Sequence, residues 1–442
     1  MQPRPEPEMQ ALAGTLQTAA SILLGDTAPE GPARDLLLRL DYLGEDEAAQ
    51  APHRAALLRA AAGFRRIFGL AAEDAPGLVA LGAEVDPRVV GVDDAPLGGV
   101  SGAGLTFRQA FEACVGEGVE YLSQFPTEAD PIEPLTAGEA LAGASPGVHA
   151  LWDYLQPFRR DPHAVRTGWT AAAGLADGAP VRLPADLCFR RPAARRDIDP
   201  PWPLSTGCGA GPDHLTATLH GLLELIERDA VALWWRGGRR GRLAPAGSGA
   251  AMLERLRNGA RGRQTWLLDI SGDLGVPVVA AVSCNGDGFG LCCGHAAGAT
   301  LAGAADAAVR EMAQMELAAR LSATKRTVRG DAALNDADRQ HLRRFTTVDV
   351  AATPALQPLA PPSPPRDLPA HDPLVALAAL RQCLATAGLA PCALNLTRAA
   401  FGIPVTRVIC PGMEQGMASP PGPRLRHSMK FTGSDPATVA PL

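Results

Sequence analysis

The sequence predicts an α+β fold with a small helical module at its N-terminus, on three observations. Apolar residues recur at helical spacing in several long stretches. Between them lie short runs rich in β-branched residues and punctuated by Gly and Pro. The two patterns are interspersed along most of the chain, the order expected of α+β proteins.

Taken in order, residues 1–8 are rich in Pro and Glu and are expected to be disordered. Helical spacing follows at about 9–24, 34–43 and 53–70, where ARDLLLRLDYL and RAALLRAAAGFRRIFGL each present one apolar stripe. The composition turns strand-like around 86–96, so 1–85 reads as a helical module and 86–442 as the main domain. Within the main domain helices are predicted at 106–123, 213–235, 249–259 and 299–323, and strands at 263–270 and 276–284. Residues 353–373 contain eight prolines and predict an exposed, extended loop. A helix at 373–387 and two short strands at 392–396 and 404–410 follow, and the tail beyond Pro411 reads as irregular.

Composition bounds the function. The 442 residues carry 41 basic and 47 acidic side chains, a net charge of −6 that argues against a nucleic-acid or membrane-surface binder. No apolar run reaches the roughly 18 residues needed to cross a bilayer. The N-terminus lacks a basic start followed by an apolar block, so no signal peptide is expected. Nine cysteines without CxxC spacing read as reduced thiols in a cytoplasmic protein.

A threefold pattern is the most informative feature. Gly102-Ala103-Gly104 is followed thirteen residues later by Glu117, then Glu120. Gly209-Ala210-Gly211 is followed at the same distance by Glu224, then Glu227. A weaker copy runs Ala296-Ala297-Gly298, then Glu311 and Gln314. A small residue (Ala110, Ala217, Ala304) precedes each first Glu by seven positions. Spacing of three puts both members of a pair on one helix face. Three such helices aimed at one centre would repel without cations, and hard divalent cations take oxygen ligands shared with nucleotide phosphates. Arg228, next to Glu227, could answer phosphate charge. The bland reading of any single ExxE is a solvated helix face. Here the apolar character of GLLELIERDAVALWW and AAVREMAQMELAA makes the polar residues candidates for burial.

The segment STGCGAGPDHLTATLHGLLELIERDAVALWW at 205–235 resembles the central signature of the YcaO family. SGAGLTFRQAFEACVGEGVEYLSQF resembles its first ATP motif, GATLAGAADAAVREMAQMELAAR its third, and NLTRAAFGIPVTRVICPGMEQG its C-terminal strand pair. The resemblance spans about 86–415. It implies a fold of mixed or antiparallel sheets and helices around a carboxylate-rich nucleotide site. It further implies an enzyme that uses ATP and Mg²⁺ to activate a backbone amide of a peptide. Carried over, Glu117, Glu120, Glu224, Glu227 and Glu311 would hold Mg²⁺, and Arg228 would contact phosphate. Gln314, Gly104 and Gly211 would join the nucleotide site, with Glu224, Glu227 and Arg228 as the catalytic set. Ala103, Ala113 and Tyr121 stand where the family pattern has Lys, Ser and Arg, and the chain closes on DPATVAPL rather than PxPxP.

The leading function implied is ATP-dependent cyclodehydration of Cys, Ser or Thr in a ribosomally made precursor peptide. A thioamide-forming enzyme using sulfide and a non-catalytic nucleotide-binding scaffold subunit stand as alternatives. The partners implied are the precursor peptide, a separate ThiF-like leader-binding protein, an azoline dehydrogenase and a second copy of the chain.

Other features read as structural. His220 is expected to pack against a neighbour, Trp234 and Trp235 to anchor the core, and 286–290 (GDGFG) to turn a hairpin. Cys292, Cys293 and His295 fit no zinc spacing. The basic stretch 236–242 reads as a flexible, solvated loop.

Overall fold

The computed structural model describes residues 7–44, 49–360, 367–369, 372–417 and 419–435. Part of the proline-rich segment, residues 1–6 and most of the closing DPATVAPL lie outside the described residues. The chain begins with α1 (Pro7–Leu23), α2 (Gly31–Arg39) and α3 (Ala51–Ala62). Then come β1 (Arg66–Leu70), β2 (Val79–Val85), β3 (Gly98–Gly104) and α4 (Phe107–Ser123). A middle stretch holds β4 (Glu133–Thr136), α5 (Ala137–Ala140), α6 (Pro146–Leu155), β5 (Arg166–Gly174), β6 (Pro180–Pro184) and α7 (Ala185–Cys188). Next are β7 (Cys208–Ala210), α8 (His214–Trp235), β8 (Arg242–Leu243), α9 (Ala250–Arg257), β9 (Arg263–Asp269), β10 (Val278–Asn285) and β11 (Cys292–Ala297). The chain continues with α10 (Leu301–Arg329), α11 (Asp336–Thr347) and α12 (Pro373–Thr386). It closes with β12 (Cys392–Asn395), β13 (Val405–Ile409) and α13 (Pro423–Thr432).

Three antiparallel sheets result, in the orders β1-β2-β3, β11-β10-β9-β8 and β4-β5-β12-β13-β7, with β6 on the outside of β5. This is the expected α+β class. The helices cover the sheets and bury three main apolar cores: one under α1–α4, one between α8, β10 and α12, and one under α10. Trp234 and Trp235 are buried in the second core as anticipated. All nine thiols are free, and all but Cys383 are buried.

Three readings need correction. The helix expected over 53–70 ends at Ala62, because RIFGL forms β1 and pairs antiparallel with β2 from Arg66↔Glu84 to Leu70↔Ala80. An apolar stripe this short fits either period, and the neighbouring strand decides it. The proposed boundary at 85/86 therefore falls between β2 and β3, which are hydrogen-bonded partners. The tail beyond Pro411 is not wholly irregular. Glu414 accepts the Gly422 and Leu425 amides at the start of α13, and Arg424 clamps Asp229 of α8 through both carboxylate oxygens. The basic stretch 236–242 is anchored rather than free: Arg236 donates to the Ser419 carbonyl, Arg240 to the Gln357 carbonyl, and Arg239 pairs with Asp273.

Candidate functional site

Three strand–turn–helix units carry the repeated acidic pairs: β3–α4, β7–α8 and β11–α10. Each helix starts on a capping side chain eleven residues before its first Glu. Thr106 accepts the Gln109 amide, Asp213 the Thr216 amide and Thr300 the Gly303 amide. The recurring small residues explain themselves. Ala110, Ala217 and Ala304 are fully buried, and a Cβ built on Gly104, Gly211 or Gly298 would lie 3.3, 2.9 or 3.1 Å from their respective backbone nitrogens. Strand and helix are thus in close backbone contact in every unit. Gly102 and Gly209 are tighter still, since a Cβ there would collide with the Cys114 nitrogen or the Ala217 oxygen.

That contact brings each first Glu back onto its own strand. Glu117 Oε2 accepts the Ser101 amide (2.9 Å), Glu224 Oε2 the Gly207 amide (3.1 Å) and Glu311 Oε2 the His295 amide (2.8 Å). The second member reaches the next unit. Glu120 Oε1 accepts the Ala210 amide of β7 (2.7 Å), and the Ala297 amide of β11 holds down the pKa of Glu227. Helix α10 in turn touches β3, so the three units close into a ring. His220 donates from Nδ1 to the Ala210 carbonyl at 2.9 Å, holding the residue whose amide binds Glu120.

The acidic groups feel one another across this ring. Burial raises the pKa of Glu117, and Glu224 raises it further. Glu120 is pushed up to about 8 by burial, helped by Glu224 and Glu117. Glu227 is raised well above its ordinary value by burial, with Glu311 and Glu224 adding repulsion. Burial likewise raises Glu224 and Glu311, while Arg228 pulls both down. Burial alone would depress Arg228, but Glu227, Glu224 and Glu311 outweigh it and hold the guanidinium charged. Its Nη2 lies 3.5 Å from Glu224 and its Nε 3.6 Å from Glu227.

Solvent reaches Glu117, and in part Glu120, Glu224, Arg228, Glu311 and Gln314, while Glu227 is buried. Groups that are wetted yet strongly desolvated line a hollow, not a convex face. Gln314 sits one turn beyond Glu311 on the same face of α10.

The donor set suits a hard cation. It is all oxygen, it is over-supplied with negative charge, and Glu227 Oε1 is buried without a hydrogen bond. Among the described residues no three His, Cys, Asp or Glu side chains form a ready-made metal cage. One oxygen each of Glu117, Glu120, Glu224 and Glu311 is committed to a backbone amide, and the groups ring the hollow instead of meeting at a point.

Sequence comparison supplies the family. A family model described as YcaO cyclodehydratase, ATP- and Mg²⁺-binding, matches residues 101–414. The chain belongs to the YcaO family. ATP and Mg²⁺ are that family's cofactors. Among solved structures, this YcaO chain resembles a heterocyclase in complex with substrate and cofactor, at 23% identity and a TM-score of 0.67, covering 86% of this chain and 55% of that one. It also resembles YcaO from Methanopyrus kandleri bound with AMPPCP and Mg²⁺, at 21% identity and a TM-score of 0.52, covering 79% and 86%. A third is the E. coli microcin synthetase McbBCD complex with pro-MccB17 bound, at 13% identity and a TM-score of 0.58, covering 78% and 88%. At these identities the likeness is one of fold. The chain spans about half the length of the heterocyclases it matches, 55% and 48%. No curated protein matches the chain.

Two of the family's polar positions are apolar here and make no polar contact: Ala103 is buried in β3 and Ala113 is exposed on α4. At the third, Tyr121 packs under the Arg190 guanidinium, 5.0 Å from the ring centre. Two sets of residues escaped the sequence reading: the caps Thr106, Asp213 and Thr300, and the amide donors at Ser101, Gly207 and His295. The caps were findable, being at constant spacing from the repeated Glu.

Proposed function

We propose that this YcaO chain is an ATP-dependent enzyme that activates a backbone amide of a ribosomally made peptide and closes azoline rings on it. The observation that carries the proposal is the ring of carboxylates from α4, α8 and α10 around one hollow, balanced chiefly by Arg228. In this reading Glu117, Glu120, Glu224, Glu227 and Glu311 hold Mg²⁺, with Gln314 and the Gly104 and Gly211 turns beside the nucleotide. Bound Mg²⁺ and ATP supply a phosphoryl group that turns a poor leaving group, the amide oxygen, into a good one. The chain's own task is to keep carboxylates ionised and aimed in a place that disfavours their charge. The backbone amides of Ser101, Gly207, Ala210 and His295 do that by each taking one oxygen of Glu117, Glu224, Glu120 and Glu311. Arg228 orients Glu224 and Glu227 and offers its remaining N–H groups to phosphate.

On the substrate, the thiol or hydroxyl of a Cys, Ser or Thr adds to the preceding carbonyl carbon. The nucleophile loses its proton to solvent, and the oxyanion formed takes the terminal phosphoryl group of ATP with release of ADP. That oxygen then departs as phosphate while the amide nitrogen loses its proton, giving an azoline. A separate ThiF-like leader-binding protein, an azoline dehydrogenase and a second copy of the chain are the proposed partners.

The alternative is a nucleotide-binding subunit without turnover, favoured by the apolar Ala103 and Ala113. Mass spectrometry of a candidate peptide incubated with the chain, its partner protein, Mg²⁺ and ATP separates the readings. Loss of about 18 Da per ring supports cyclodehydration, and a gain of about 16 Da with sulfide indicates the thioamide chemistry (mass differences of water loss and of O-to-S exchange at an activated amide). An unchanged peptide with bound, unconsumed ATP refutes both chemistries and supports the subunit without turnover.

A further inference from the structure

Arg407 lies on β13 directly opposite Cys208 of β7. Its neighbours in the strand face α8: the Thr406 hydroxyl is 3.4 Å from that of Thr218, and Val408 packs on Gly221. Strand alternation therefore turns Arg407 to the other side of the sheet, among the residues packed under α4. There the side chain is fully buried. Its single hydrogen bond runs from Nη1 to the Cys208 sulfur at 3.7 Å, and its Nε and Nη2 have no acceptor. Among the described residues no carboxylate lies within ion-pair distance of it.

A second guanidinium stands nearby in the same condition. Arg190, half-buried after α7, donates from Nη2 to the Gln124 side chain at 2.8 Å and lies over Tyr121, while its buried Nε has no acceptor. Burial first, and Arg407 after it, push the Arg190 pKa down, against a raising effect of Tyr121. A buried and a half-buried guanidinium that repel each other, with three buried donor nitrogens unmatched, call for an anion the protein itself does not provide. Arg407 also pulls down the pKa of Glu224, and Cys208 opposite it lies two residues before Ala210, whose amide binds Glu120.

We propose that Arg407 and Arg190 form a subsite for a phosphoryl group, reached from solvent past Arg190. It rests on the nucleotide reading above and names the residues that would receive the phosphate end of the reaction. Planar guanidiniums suit a tetrahedral oxyanion, since each can donate to two of its oxygens. The group bound is either the terminal phosphate of the nucleotide or the orthophosphate released from it.

The test uses the full chain and two probes, inorganic phosphate and Mg²⁺-nucleotide, read by calorimetry and thermal unfolding. With Mg²⁺–ADP present, the wild type should bind inorganic phosphate, and Arg190→Gln should weaken that binding about tenfold or more while leaving Mg²⁺–ADP binding intact. Arg407→Met should abolish phosphate binding and unfold at a higher temperature than wild type without anions, because an unpaired buried charge is gone. If Mg²⁺–AMPPCP displaces phosphate and Mg²⁺–ADP does not, the subsite takes the terminal phosphate. If neither displaces it, the subsite holds the released ion. Phosphate binding unchanged in both variants, or absent from a wild type that binds Mg²⁺–ADP, overturns the subsite alone. A wild type that binds no Mg²⁺-nucleotide overturns the nucleotide reading instead.

Discussion

Glu120→Gln offers a test in which stability and function move in opposite directions. The folded protein raises Glu120 from 4.5 to about 8, chiefly by burial and then by Glu224 and Glu117. Below pH 4.5 the group is protonated in both folded and unfolded chains, so the shift costs nothing. As pH rises the unfolded chain ionises first, and the penalty on folding grows until the folded group ionises as well. At pH 7 the ceiling is about 3.4 kcal/mol, at ~1.36 kcal/mol per pH unit. Because solvent reaches Glu120, screening reduces this to about 1–2 kcal/mol. Gln carries no charge and still accepts the Ala210 amide. Without Mg²⁺ at pH 7–8 the variant should therefore melt about 1–4 °C above wild type, and the gain should shrink towards pH 5. With Mg²⁺ and ATP at about 100 times the wild-type Kd, the wild type gains about 2.7 kcal/mol. A variant bound about tenfold more weakly falls behind by about 1.4 kcal/mol. Thermal unfolding with and without Mg²⁺-nucleotide reads both arms. A variant less stable than wild type in chelator, or one stabilised equally by Mg²⁺-nucleotide, would refute the reasoning.

The raised carboxylates also predict a pH dependence: Mg²⁺ must displace protons, so its affinity should climb between pH 6 and 8, by up to about tenfold per unit for each proton released. Calorimetry in buffers of different ionisation heat would detect that release, and a flat profile would contradict it. Asp130→Ala should destabilise by about 3–5 kcal/mol, since it strands Arg398, which also caps the Ser123 and Phe125 carbonyls at the end of α4; denaturant titration showing under about 1 kcal/mol would contradict it. Gly209→Val should prevent folding, because the Ala217 backbone occupies the space its Cβ needs; a soluble, wild-type-like variant would dismiss the close contact. Removing residues 1–85 should give an aggregating product, as it strips β2 from β3 and uncovers the core under α4; a monomeric, cooperatively folding remnant would mark 1–85 as a separable module.

The sequence made the repeat legible because helix period and turn chemistry are local. The ExxE spacing, the small residue before it and the Gly turn all follow from one strand packing on one helix. The positions of α4, α8, α9, β9, β10, α10, α12, β12 and β13 were readable for the same reason, whereas β4 to β7 and α11 were not. What the sequence concealed depends on tertiary partners. RIFGL becomes a strand only because β2 lies beside it. α13 exists because Glu414 and Asp229 hold its first turn. Arg190 is more than 200 residues from Arg407 in the chain, and no spacing rule connects them. The ring closure, in which Glu120 bonds to β7, α8 packs on β11 and α10 on β3, was likewise invisible before the units packed.

Crystals grown with Mn²⁺ and a non-hydrolysable ATP analogue would put the account to its most direct trial, because anomalous scattering locates the metal without reference to any model of the site. Peaks bonded to carboxylate oxygens of α4, α8 and α10 together, with the triphosphate between them, are the result expected. Metal bound elsewhere, or nucleotide lodged outside this hollow, would contradict it.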